Sequence, residues 1–87
     1  MSPEDTNRPL AAVVRHAREQ HEESQVALGL RIGYRHKTVN DWENGRRDIS
    51  GSTLEKVAEA YETTPAELLK AWVDGRKPRR LRKSTDG

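Results

Sequence analysis

Between Ser24 and Gly45 the chain runs SQVALGLRIGYRHKTVNDWENG, and this stretch limits the architecture more than any other. Leu28 and Ile32 fall at i and i+4, so a short helix buries both on one side. Gly29 leaves room beside them where a second helix comes close. Gly33 suits the left-handed backbone that ends a helix and turns the chain sharply. A helix starting near His36 then sets Val39 and Trp42 on one side and His36, Lys37, Asn40 and Asp41 on the other. Asn44-Gly45 closes it. The expectation is two short helices joined by a tight turn at Gly33-Tyr34, with an apolar pair anchoring the second and a polar quartet facing out.

The quartet has the chemistry of base recognition. Lys donates to guanine O6 and N7, Asn pairs with adenine N6 and N7, and Asp accepts from the cytosine amino group. A polar face is also what most amphipathic helices present to solvent, so the quartet by itself does not decide between the two.

Several separated positions in one fixed frame do. Ser24-Gln25 opening a helix, the Leu28/Ile32/Gly33 spacing, Val39, and the ending Trp42-Glu43-Asn44-Gly45 together resemble the helix-turn-helix of the lambda repressor/Cro (xenobiotic-response-element) family. The resemblance covers roughly Leu10 to Val73. It implies an all-α, lambda-repressor-like fold, a compact bundle of five short helices with the helix-turn-helix at the second and third. It also implies a sequence-specific double-stranded DNA-binding regulator of transcription, a repressor, that reads the major groove with the third helix as a homodimer, formed beforehand or only on DNA.

On that resemblance His36, Lys37, Asn40 and Asp41 read bases, while Gln25, Arg35, Thr38, Asn44, Arg46 and Arg47 meet phosphates. Gln25 packs its amide against His36, and Arg18 pairs with Glu43 to tie the first helix to the third. Three features depart from the pattern. Glu22-Glu23 stand where Gly-Leu is usual, which removes a core contact and reshapes the loop before the second helix. Arg35 stands where Ser or Thr often caps. Val26 and Leu30 replace polar residues and form an exposed apolar stripe, which supports an alternative: an antitoxin or adaptor that uses the same fold to hold a protein partner.

The remaining chain fits around this centre. Pro9 suits a first helical turn, and Leu10, Val13, Val14 and Ala17 recur at helical spacing to about His21. Ser50 or Ser52 opens a fourth helix, with Ser52 and Glu55 forming a capping box. Leu54, Val57, Ala58 and Tyr61 give it a core face. Thr64-Pro65-Ala66-Glu67 combines a cap, a first-turn Pro and a returning Glu. The fifth helix carries Leu68, Leu69 and Trp72 inward and stops before Gly75. The expected organisation is a disordered segment 1–8, a domain 9–75 and a basic, disordered tail 76–87.

Charge is divided along the chain. Residues 1–75 hold 10 Lys/Arg against 13 Asp/Glu, and residues 76–87 hold 6 against 1, so the basic balance belongs to the tail. A local basic patch remains on an acidic body, from Arg31, Arg35, His36, Lys37, Arg46 and Arg47. The tail reads as a solvated charge block or a sequence-independent arm on phosphates. With 87 residues and no Cys, one small domain without disulfides is expected.

No Gly-rich phosphate loop or nucleophile motif is present, so an enzyme is not expected. No cofactor is expected either. His16 and His21 are surface residues that point apart on a helix, and with His36 on the polar face no metal site is expected. The longest apolar run, Leu10 to Val14, is too short for a membrane span, and the N-terminus lacks the order of a secretion signal. The expectation is a cytoplasmic, nucleoid-associated protein.

Overall fold

Three helices begin at a residue whose side chain caps them. The computed structural model describes residues 8–81, which hold α1 (Arg8–Gln20), α2 (Gln25–Ile32), α3 (His36–Glu43), α4 (Gly51–Ala60) and α5 (Pro65–Asp74). Ser24 caps α2, its hydroxyl accepting from the Ala27 N–H at 3.0 Å. Ser50 caps α4 in the same way, from the Thr53 N–H at 3.2 Å. Ser52, the other candidate, bonds to the Ser50 hydroxyl instead. Thr64 caps α5, whose first residue is Pro65.

The turn between α2 and α3 depends on two glycines. Gly33 takes a φ of 83°, and the N–H groups of Gly33 and Tyr34 both donate to the Gly29 carbonyl at 2.8 Å. A Cβ on Gly29 would lie 2.5 Å from the Tyr34 carbonyl oxygen. That is inside contact distance with backbone rather than with the end of a flexible side chain, so the close crossing of α2 and α3 holds only with glycine there, and a larger residue must force the two apart.

Five helices enclose one core. α1 packs on α3, α4 and α5, α2 on α3 and α4, and α4 on α5. Val13, Val14 and Ala17 meet Leu28, Ile32, Val39, Trp42, Ile49, Leu54, Val57, Tyr61 and Leu68 at the centre. Packing is what keeps α3 helical. It has 8 residues and no side-chain cap from Arg35, and an isolated helix of that length is unstable in water. Val39 is fully buried and Trp42 is 2% exposed, each worth about 1.5–3 kcal/mol of burial. Tyr34 meets the Trp42 ring edge-on.

Two elements differ from expectation. Leu69 is exposed while Ala71 is buried, because α5 turns the Leu68/Ala71 edge toward α1 and leaves Trp72 partly covered. The stretch 76–81, expected to be disordered, is strapped to the body. The Arg76 carbonyl accepts from His16 Nε2 at 2.7 Å, and Pro78 is buried. The Glu67 carboxylate accepts from Arg76 Nη1 at 2.6 Å and from the Arg79 N–H at 2.7 Å. Arg80 pairs with Glu62, whose carbonyl accepts from the Leu81 N–H. Self-repulsion of the basic run is offset because Glu67 and Glu62 neutralise two of its charges. Glu67 therefore turns away from Thr64, leaving the capping box half made. Arg8, expected to be disordered with the residues before it, opens α1, and the disorder expected for the rest of 1–8 and for 82–87 concerns residues outside those described.

Candidate nucleic-acid interface

With Val39 and Trp42 turned inward, the opposite side of α3 faces out. His36 and Lys37 are exposed, and Thr38, Asn40 and Asp41 are half-buried beside them. Arg35 before the helix, and Asn44, Arg46 and Arg47 after it, are exposed around the same surface. Lys37 has no ion-pair or hydrogen-bond partner among the described residues, so its ammonium is available to a ligand. Asp41 is more confined: its side chain is 14% exposed, with Arg46 Nη1 3.9 Å from its carboxylate.

Behind this surface lies a polar chain. Arg18 grips Glu43 with Nε at 2.7 Å and Nη2 at 2.9 Å, a two-pronged geometry that suits a guanidinium and a carboxylate. Their side chains are 13% and 3% exposed. The bond to Glu43 raises the Arg18 pKa above its ordinary value, against the opposing effect of burial. Arg18 Nη1 also donates to the Glu23 carbonyl, fastening the end of α1 to the loop before α2. Gln25 Nε2 donates to Glu43 at 3.0 Å. Its Oε1 accepts from His36 Nε2 at 3.0 Å and from Asn40 Nδ2 at 3.2 Å. Asn44 Nδ2 donates to the Asn40 Oδ1 at 3.0 Å.

Arg31 does not join the basic patch. Its Nε donates to Glu23 at 2.7 Å, on the side of α2 that faces α4, and its guanidinium lies 5.7 Å from the Tyr61 ring centre. Tyr61 donates its hydroxyl to Glu23 at 3.0 Å, and His21 stacks on the Tyr61 ring at 4.0 Å. The Arg31 bond lowers the Glu23 pKa, and burial raises that of Tyr61. Glu23 thus fills the place of the missing core contact with a polar cluster. Glu22 carries the strain of the reshaped loop, with a φ of 56°, a left-handed conformation that costs a non-glycine residue about 1–2 kcal/mol.

A family model described as helix-turn-helix matches residues 14–68, the interval that contains α2, the Gly33 turn and α3. The chain belongs to the Cro/C1-type helix-turn-helix family. This is a family of DNA-binding regulators of transcription. No match was found among curated proteins or solved structures.

For a Cro/C1-type protein, the match also shows what lies outside the shared frame. The strap 76–81 falls beyond its last matched residue, and its anchors Glu62 and Glu67 fall within. His16 and His21 are both half-buried rather than on the surface, because the strap and Tyr61 cover them. Arg15 was not a sequence candidate, yet with Asn44 and Arg47 it lines a groove between α1 and the loop after α3. Only the packing of α1 against α3 brings them together. Among the described residues no helix is long and apolar enough to cross a membrane, and no cluster of three or more His, Cys, Asp or Glu is placed to hold a metal.

Proposed function

We propose that this protein is a sequence-specific repressor of transcription that reads the major groove of double-stranded DNA with α3 and binds as a homodimer. The observation that carries the reading is the two-sidedness of α3. Val39 and Trp42 fix one side in the core, and His36 and Lys37 stand exposed on the other with Asn40 and Asp41 alongside. Lys37 suits guanine O6 and N7, Asn40 adenine, and Asp41 a cytosine amino group once Arg46 turns to a phosphate. Arg35, Thr38, Asn44, Arg46 and Arg47 surround α3 as backbone contacts, and Arg15 joins them from α1. Gln25 contributes through the chain behind α3 and at the nearest phosphate.

One such module covers few base pairs, and two copies on half-sites about one helical turn apart supply useful affinity. Selection of bound duplexes from a random library tests the whole proposal. A two-fold symmetric consensus is the expected result, and sedimentation with and without that duplex reports when the dimer forms. Recovery of unselected sequence overturns it.

A second reading rests on a separate observation. Val26 is 50% and Leu30 79% exposed on the outer side of α2, a stripe suited to a protein partner of the antitoxin or adaptor kind. Capture of one protein by wild type but not by Val26→Ser/Leu30→Ser, with DNA selection unsuccessful, favours it over the first.

A further inference from the structure

The polar chain behind α3 has a direction, and the direction is set from its buried end. Glu43 carries a carboxylate that only accepts hydrogen bonds. It is held by Arg18 and is almost fully buried. Gln25 approaches the same carboxylate at 3.0 Å, so the amide must present Nε2 to Glu43 and Oε1 to α3. The reverse orientation would place two acceptors face to face. Oε1 in turn meets His36 Nε2 and Asn40 Nδ2. An amide oxygen only accepts, so His36 must carry its proton on Nε2.

The neutral imidazole is then a single tautomer, with Nδ1 left as a bare acceptor. Nδ1 has no protein partner among the described residues, and the ring is exposed. By the same logic Asn40 directs one amide hydrogen at Gln25 and receives Asn44 on its oxygen, leaving one hydrogen and one lone pair to spare. Lys37, the next residue along α3, only donates.

We infer that the Arg18–Glu43 pair, acting through the orientation of Gln25, makes His36 an acceptor on the reading face. His36 therefore selects a base that offers an amino group in the major groove, adenine or cytosine, at the position it meets. This rests on the DNA-reading proposal above. His36 becomes a specificity-determining residue, and Gln25 and Glu43 positioning residues that act through it. Guanine O6 and thymine O4 would face the bare Nδ1 as a second acceptor and are rejected. A single contact of this kind favours adenine or cytosine by about fivefold or more, which corresponds to the low end of base discrimination.

Two measurements on the full chain test this. Long-range proton–nitrogen NMR of the free protein at alkaline pH reads which ring nitrogen of His36 carries hydrogen. Wild type is expected as the Nε2–H form. In Gln25→Lys, whose ammonium only donates, Nε2 must accept, and the proton moves to Nδ1. Gln25→Leu removes the constraint and gives a mixture, and the dispersion of the same spectra reports that each variant is folded.

In parallel, random duplexes are selected with wild type, Gln25→Lys and His36→Ala. The position that loses its preference in His36→Ala is the one His36 meets. Adenine or cytosine is expected there for wild type; for Gln25→Lys the ring donates instead, so guanine, thymine or adenine through its N7 is accepted and cytosine is lost. An Nδ1–H wild type, or an unchanged tautomer and base preference in Gln25→Lys, overturns this inference while leaving DNA binding intact. Failure of wild type to enrich any sequence overturns the DNA reading itself, and the base selection with it.

Discussion

Replacing Arg18 with Met should unfold a large part of this protein's margin of stability. The Glu43 side chain is 3% exposed and takes two hydrogen bonds from the guanidinium at 2.7 and 2.9 Å. Methionine fills much of the same volume and donates nothing, so Glu43 keeps only the Gln25 N–H, and the Glu23 carbonyl loses its donor as well. Stranding one partner of a buried pair costs about 3–5 kcal/mol. A domain of this size has roughly 5–10 kcal/mol in all, and each kcal/mol moves its Tm by about 4–8 °C. Thermal denaturation followed by circular dichroism should then show Arg18→Met melting about 12–40 °C below wild type. The double variant Arg18→Met/Glu43→Leu, which removes the stranded charge, should recover most of that loss. A fall of less than about 3 °C, or a double variant no better than the single one, would refute the account of a buried pair that holds α1 to α3.

Other outcomes follow from the same structure. Lys37→Ala should cost about 1–3 kcal/mol on a selected duplex and little on a random one, by fluorescence anisotropy; equal losses on both remove it from base reading. Arg47→Ala should weaken all duplexes alike and lower the slope of log K against log salt by about 0.9. Gly29→Ala must push the Tyr34 carbonyl away from a Cβ built at 2.5 Å, so the α2–α3 turn opens at a cost of about 1–3 kcal/mol, visible in urea titration. The Glu67 carboxyl is held down to about 2 by Arg76, and secondarily by the Arg79 N–H. A depressed folded pKa stabilises above the ordinary value of about 4.5 and is lost as pH falls from there toward 2. Glu67→Gln should therefore lower stability at neutral pH and flatten the acid limb of the stability profile.

How far the chain could be read in advance depended on the range of the interactions. Ser24, Gly33 and Thr64-Pro65 mark helix ends through bonds to backbone within a few residues, so their chemistry is visible in the sequence itself. The apolar spacing of Leu28, Ile32, Val39 and Trp42 was equally local, and the family frame supplied the meeting of Arg18 with Glu43 across the core. The strap was not legible. A run from Arg76 to Lys83 looks like a self-repelling tail until Glu62 and Glu67 are known to lie beneath residues 76–81. Arg31 was counted in the basic patch because nothing in its neighbours says that Tyr61, far along the chain, shares Glu23 with it. Leu69 looked apolar enough for the core, but helical spacing alone does not say which of two adjacent leucines faces α1. The polarity of the Gln25 amide depends on Glu43 and His36 lying on either side of it, which no local pattern shows.

The strap also relocates the point from which later residues depart. α5 alone would release the chain at Gly75, at the far tip of the last helix. Clamping Leu81 to the Glu62 carbonyl leads it back to the corner where α4 gives way to α5. A fluorophore attached at Leu81 itself would thus report on that corner rather than on the tip of α5.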